Sequence, residues 1–114
     1  MKNKDSLAYL KLILGAMNKI GLYIEGLDYD SFSIDSKTQS AVLMQLQIIG
    51  ELAKRIPEDV LSEIEIPWKK ITGLRDIVSH DYFSIDIKMV WKTINGSIHD
   101  AQNKICLYLQ AHHL

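Results

Sequence analysis

Eight consecutive residues carry the densest chemistry in this 114-residue chain: Arg75-Asp76-Ile77-Val78-Ser79-His80-Asp81-Tyr82. They include one of only two arginines, one of four histidines, two carboxylates and a tyrosine hydroxyl. A guanidinium is permanently charged, and its planar fork can grip two oxygens of an oxyanion at once. An imidazole, with a reference pKa of about 6.5, serves as acid or base near neutrality. On a helix Asp76 and His80 stand one turn apart on the same face, so the carboxylate is placed to hold the imidazole. Arg75 lies five residues before His80, about 140° around an ideal helix, and its long side chain can reach over if the helix loosens there. Such a set binds an anionic group and moves a proton beside it.

Each member taken singly has an ordinary structural reading. His80 alone reads as a surface or structural histidine, Arg75 as an ion-pair partner of Asp76 or Glu51, and Tyr82 as an aromatic at the rim. Together they are more specific: an Arg-Asp-x-x-x-His-x-Tyr string arises by chance on the order of once in several thousand chains of this length. Metal chemistry finds no support. No second histidine lies at ligand spacing to His80, the single cysteine, Cys106, excludes a multi-cysteine zinc site, and His112-His113 read as a disordered tail. No cofactor is expected.

The elements that must position these residues are helices. Leu7, Leu10, Leu14, Met17, Gly21 and Ile24 step by three and four, with Asp5 or Ser6 available to cap a first helix and Gly26 to end it. A second helix spans about Ser36 to Arg55, with Val42, Leu46, Ile49, Ala53 and Ile56 on one face, and Pro57 stops it. Between the two, Glu25 to Asp35 holds four acids and no base and reads as a polar connection. Glu58 to Glu65 allows one short helical turn. Pro67 opens a third helix, carrying Trp68, Ile71, Leu74 and Val78 and running to about His80. The fourth begins near Asp86 and keeps Ile87, Trp91, Ile94, Ile98, Ala101, Ile105 and Tyr108 in phase, so Asn95-Gly96-Ser97 reads as a kink within one helix. The expectation is a single all-α domain over residues 1–114: an up-and-down four-helix bundle with an extra short helical turn.

Composition bounds the rest. Thirteen basic against fourteen acidic residues leave a net charge of −1, with no strong field toward nucleic acid or anionic lipid. The acids gather in the two connections. Lys69, Lys70 and Arg75 on the third helix and Lys88 and Lys92 on the fourth would make one end locally basic if those helices pack together. Lys2 and Lys4 resemble a signal-peptide start, but Asp5 and Lys11 interrupt it, and no run is long and apolar enough for a membrane span. A cytoplasmic location is expected.

The string from Arg75 to Tyr82 resembles the Arg-x4-His-x-Tyr signature of the HepT-like toxins within the HEPN superfamily of small helical ribonuclease domains. Ile48-Ile49-Gly50-Glu51 resembles that family's Gly-Glu element on the second helix, and Ile66-Pro67-Trp68 its entry into the motif helix. His80-Asp81-Tyr82-Phe83, followed by Val90-Trp91, resembles what comes after. The likeness spans about residues 7 to 100 and departs at Gly96-Ser97, where relatives often carry Leu-Pro. It implies a homodimeric, metal-independent endoribonuclease, toxin of a type VII-like toxin–antitoxin pair. Arg75 and His80 would be catalytic, with Asp76 and Glu51 in support. Two facing motifs would supply both the base for the 2′-OH and the acid for the leaving 5′-oxygen. It also implies a partner, a minimal nucleotidyltransferase antitoxin that attaches AMP to the motif tyrosine, Tyr82. The near-neutral charge implies short-range engagement of RNA at the dimer cleft, without a long binding track. The competing reading is a non-catalytic HEPN module that binds a nucleotidyltransferase or nucleotide.

Overall fold

The computed structural model describes residues 2–80 and 82–112, with side chains from Lys4 onward. The described residues form helices α1 (Lys2–Tyr23), α2 (Tyr29–Ser33), α3 (Ser36–Ala53), α4 (Glu58–Leu61), α5 (Trp68–His80), α6 (Ile87–Asn95) and α7 (Ser97–Ala111), with a 3-10 turn at Tyr82–Ser84. There is no strand among them. The all-α bundle is the fold that the apolar periodicity implies.

Local chemistry explains the boundaries. Asp35 caps α3 through both carboxylate oxygens, one accepting the Thr38 amide at 3.1 Å and the other the Thr38 hydroxyl at 2.6 Å. Asp86 caps α6 by accepting the amides of Lys88 and Met89. Pro67, which has no amide proton to lose, precedes α5, and its carbonyl accepts the Ile71 amide. The Trp68 indole donates to the carbonyls of Leu61 and Ile64, which ties the start of α5 to α4.

Helix α3 packs against both α1 and α5, and α1 packs in turn against α7. Leu10, Ile13, Met17 and Ile20 of α1, Val42, Leu46 and Ile49 of α3, Ile71 of α5, and Ile98 and Ile105 of α7 are all buried in one core. Because α5 lies chiefly on α3, the third and fourth expected helices do not build a basic end by packing closely. A 3.5 Å hydrogen bond from Lys70 to Ser97 links them instead.

Three local expectations are corrected. The connection between the first two long helices is not merely polar: it holds α2, capped by Asp28, and Phe32 there is 0% exposed and packs on Trp91 at 5.0 Å between ring centroids. The last helix is broken, not kinked. Gly96 sits at φ −106° and ψ −91°, outside the helical region, so α6 and α7 are separate elements that keep the same apolar phase. His112 is placed: its ring stacks on Tyr108 at 4.0 Å, with Nδ1 2.9 Å from the Tyr108 carbonyl oxygen. His113 and Asp81 lie outside the described residues.

Candidate active site

The groove between α3 and α5 gathers most of the chemistry. The two helices run antiparallel along it, and side chains on and just beyond them pair across it. Tyr82 Oη lies 3.4 Å from Ser40 Oγ, Gln47 donates to Ser79 at 3.4 Å, Arg75 meets Glu51, and Asp76 meets Lys54. Close approach is possible because residue 50 is glycine. A Cβ there would overlap the Cβ of Arg75 and stand 3.6 Å from its Cα. The Gly-Glu pair thus has a plain physical role: Gly50 admits α5, and Glu51, one residue on, takes its arginine.

Arg75 is the anchor of the site. Its Nη2 stands 2.8 Å from Glu51 Oε2 as an ion pair, and its Nη1 donates to Asp76 Oδ1 at 3.2 Å. The side chain is 27% exposed, while Nε is buried and has no hydrogen-bond partner among the described residues. Lys54 Nζ donates to the same Asp76 Oδ1 at 3.1 Å, and Arg55 Nη2 stands 4.0 Å from Glu51 Oε1. Five groups therefore alternate in charge across α3, the turn that follows it, and α5: Arg55, Glu51, Arg75, Asp76, Lys54. The hydrogen bond from Lys54, and then that from Arg75, hold the Asp76 carboxyl below the usual carboxylate range.

The expected pair of Asp76 and His80 does not form. Asp76 turns toward Lys54 and Arg75, two full cations that outcompete an imidazole on its own helix. His80 closes α5 as an exposed residue. The Tyr82 hydroxyl faces Ser40, and its ring meets Phe83 edge-on at 5.6 Å. Sequence reasoning brought Arg75, Asp76 and Glu51 together correctly but missed Lys54 and Arg55. Their signal was available, since Lys54 and Arg55 follow Gln47 and Glu51 at helical spacing, immediately after α3 ends.

Exposed apolar side chains surround this polar groove. Ile77 is 40% exposed, Met44 55%, and Phe83 99%, with Ile48 and Tyr82 beside them in the same class. No group of three or more possible metal ligands occurs among the described residues. Among the described residues no helix is long and apolar enough to cross a membrane.

The fold and this groove define a small helical domain with a charged arginine–histidine motif. The chain belongs to the HepT-like family: residues 13–106 match the family described as ribonuclease HepT-like. It is 38% identical over 99 residues to a protein of Methanocaldococcus jannaschii that carries a provisional RNase name, covering 86% of this chain and 82% of that one. A Thermococcus cleftensis protein provisionally named ribonuclease HepT is 37% identical over 97 residues, covering 84% and 88%. A Caldanaerobacter subterraneus protein with a provisional RNase name is 30% identical over 103 residues, covering 90% and 92%. No solved structure matches.

Proposed function

We propose that this chain is a metal-independent endoribonuclease and the toxin of a toxin–antitoxin pair, working as a homodimer. Membership of the HepT-like ribonuclease family supports RNA as the substrate. The observation that carries the chemistry is Arg75, fixed in the α3–α5 groove by Glu51 and followed by an exposed His80 on the last turn of the same helix. In the reaction the RNA 2′-OH attacks the adjacent phosphorus, the 5′-oxygen leaves, and a cyclic phosphate forms. His80 moves the protons, and Arg75 holds non-bridging oxygens as charge builds on them. One motif has one histidine. Two copies meeting across the exposed Ile77, Ile48 and Met44 face would provide a base and an acid in one cleft.

Control would act through Tyr82. Tyr82 is 46% exposed, and its hydroxyl makes a long 3.4 Å contact with Ser40, which leaves it open to a minimal nucleotidyltransferase antitoxin that transfers AMP from ATP. Each AMP adds bulk and about one negative charge beside Arg75, where it competes with RNA phosphate.

The test is cleavage of single-stranded RNA by the purified protein. His80→Ala and Arg75→Ala each abolish cleavage and growth arrest while the far-ultraviolet circular dichroism stays unchanged, and wild-type cleavage persists in EDTA. Chelation that stops cleavage, with metal restoring it, overturns the acid–base mechanism. A folded wild type that never cleaves RNA turns the assignment to a non-catalytic module that binds a nucleotidyltransferase.

A further inference from the structure

Two cations from different segments converge on one oxygen. Lys54 Nζ, at the C-cap of α3, and Arg75 Nη1 of α5 lie 3.1 Å and 3.2 Å from the same atom, Asp76 Oδ1. Two donors of full positive charge around a single anionic oxygen make the geometry of an oxyanion site, and here a carboxylate of the protein fills it. Asp76 is also one turn before His80 on the same helix face, so the occupied point lies about 6 Å along the helix from the imidazole-bearing residue.

The pair is built to be displaced. Asp76 is 51% exposed and Lys54 45%, and ion pairs at that exposure contribute little to stability. Arg75 has a second ion pair on its other side, with Glu51 at 2.8 Å, which holds it in the groove when Asp76 leaves. A phosphate oxygen carries the same charge type as the carboxylate oxygen and accepts the same two hydrogen bonds.

We infer that the Lys54–Arg75 point is a phosphate subsite that Asp76 masks in the free protein. Lys54 is then a second phosphate-binding residue, and Asp76 a built-in competitor, not a support for His80. Substrate binding exchanges the Asp76 carboxylate for a non-bridging oxygen of the scissile or neighbouring phosphate, and Asp76 swings out to solvent. This rests on the ribonuclease reading for its substrate, but the subsite itself requires only an anion.

Two probes separate the subsite from the activity: inorganic phosphate, followed by side-chain chemical shifts of Lys54 and Arg75, and a single-stranded deoxyoligonucleotide, which has the phosphates but no 2′-OH to attack. Lys54→Met weakens binding of both about tenfold, the loss of one charge-assisted hydrogen bond. It also lowers the salt dependence of oligonucleotide binding by about 0.7 of a logarithmic unit per decade. Asp76→Asn, which keeps the shape and removes the competing charge, strengthens phosphate binding several-fold. If Asp76 merely oriented Arg75, the same change would weaken it, and that result overturns the masking. Unchanged affinities in both variants overturn the subsite. The expected pattern together with a wild type that leaves RNA intact keeps the subsite and removes the ribonuclease reading alone.

Discussion

Replacing Gly50 by alanine tests how closely α3 and α5 must approach to set the site. The new Cβ would overlap the Cβ of Arg75, with Arg75 Cγ 3.0 Å away. Carbon atoms pack best at about 3.5–4.0 Å. A Cβ is fixed by its own backbone, so no rotamer change relieves the overlap, and the helices must part by roughly an ångström. Overpacking of this kind costs about 1–3 kcal/mol, while alanine in place of glycine inside a helix returns about 1 kcal/mol. The net expectation is a loss of about 1 kcal/mol, or about 4 °C in Tm for a chain of this size. Gly15→Ala supplies the contrast. A Cβ at Gly15 on α1 meets nothing within 4 Å, so only the propensity gain of about 0.5–1 kcal/mol remains and the protein becomes more stable. Urea unfolding measures both variants, and RNA cleavage reads the position of Arg75, where a shift of about 1 Å costs tenfold or more. If Gly50→Ala gains as much stability as Gly15→Ala and keeps full cleavage, the close-approach account of the Gly-Glu pair is refuted.

Phe32→Ala should cost about 3–5 kcal/mol in urea unfolding, since Phe32 is fully buried against Trp91; a loss under 1 kcal/mol would place the ring outside the core. The Tyr108 hydroxyl is pushed up to about 12, chiefly by burial and then by its hydrogen bond to Glu63. Its folded value lies above the ordinary value of about 10, so its contribution to stability is complete below pH 10 and is lost as pH rises through about 12. Phenolate absorbance should show a late step near pH 12 that is missing in Tyr108→Phe; its persistence in that variant would reassign the shift. Asp76 behaves in the opposite sense. Its pKa is depressed, so the stability from its pairs is present above the ordinary carboxylate pKa of about 3.9 and lost as pH falls through the lower folded value. The stability difference between wild type and Asp76→Asn should therefore shrink at acid pH, and a pH-independent difference would contradict the pairing. On the proposed toxin reading, Tyr82→Phe should arrest growth as the wild type does and escape AMP addition by a nucleotidyltransferase partner, as intact mass would show; AMP found on another residue of that variant would move the modification site.

Most of the architecture was written locally. Helix hydrogen bonds join residues four apart, so the apolar period of α1 and α3, the starts of the later helices near Ser36 and Asp86, and Pro67 before α5 were legible without knowing what packs where; the caps by Asp35 and Asp86 are seen in the structure. The end of α5 at His80 was legible for the same reason, and so was the crowding of Arg75, Asp76, His80 and Tyr82 into one stretch. Partner choice was not. Asp76 has a histidine one turn away on its own helix, yet it pairs with Lys54, twenty-two residues back, because α3 brings a full positive charge within 3.1 Å. Phe32 looked like one apolar residue in an acidic connection until α6 brought Trp91 against it. Gly96 kept the apolar phase of a continuous helix while its backbone dihedrals broke the axis, since phase records which face is buried and not whether the ladder of hydrogen bonds runs through. A sequence displays spacing along each helix; which charges meet across two of them depends on their separation and register, and at this site a missing Cβ at Gly50 sets both.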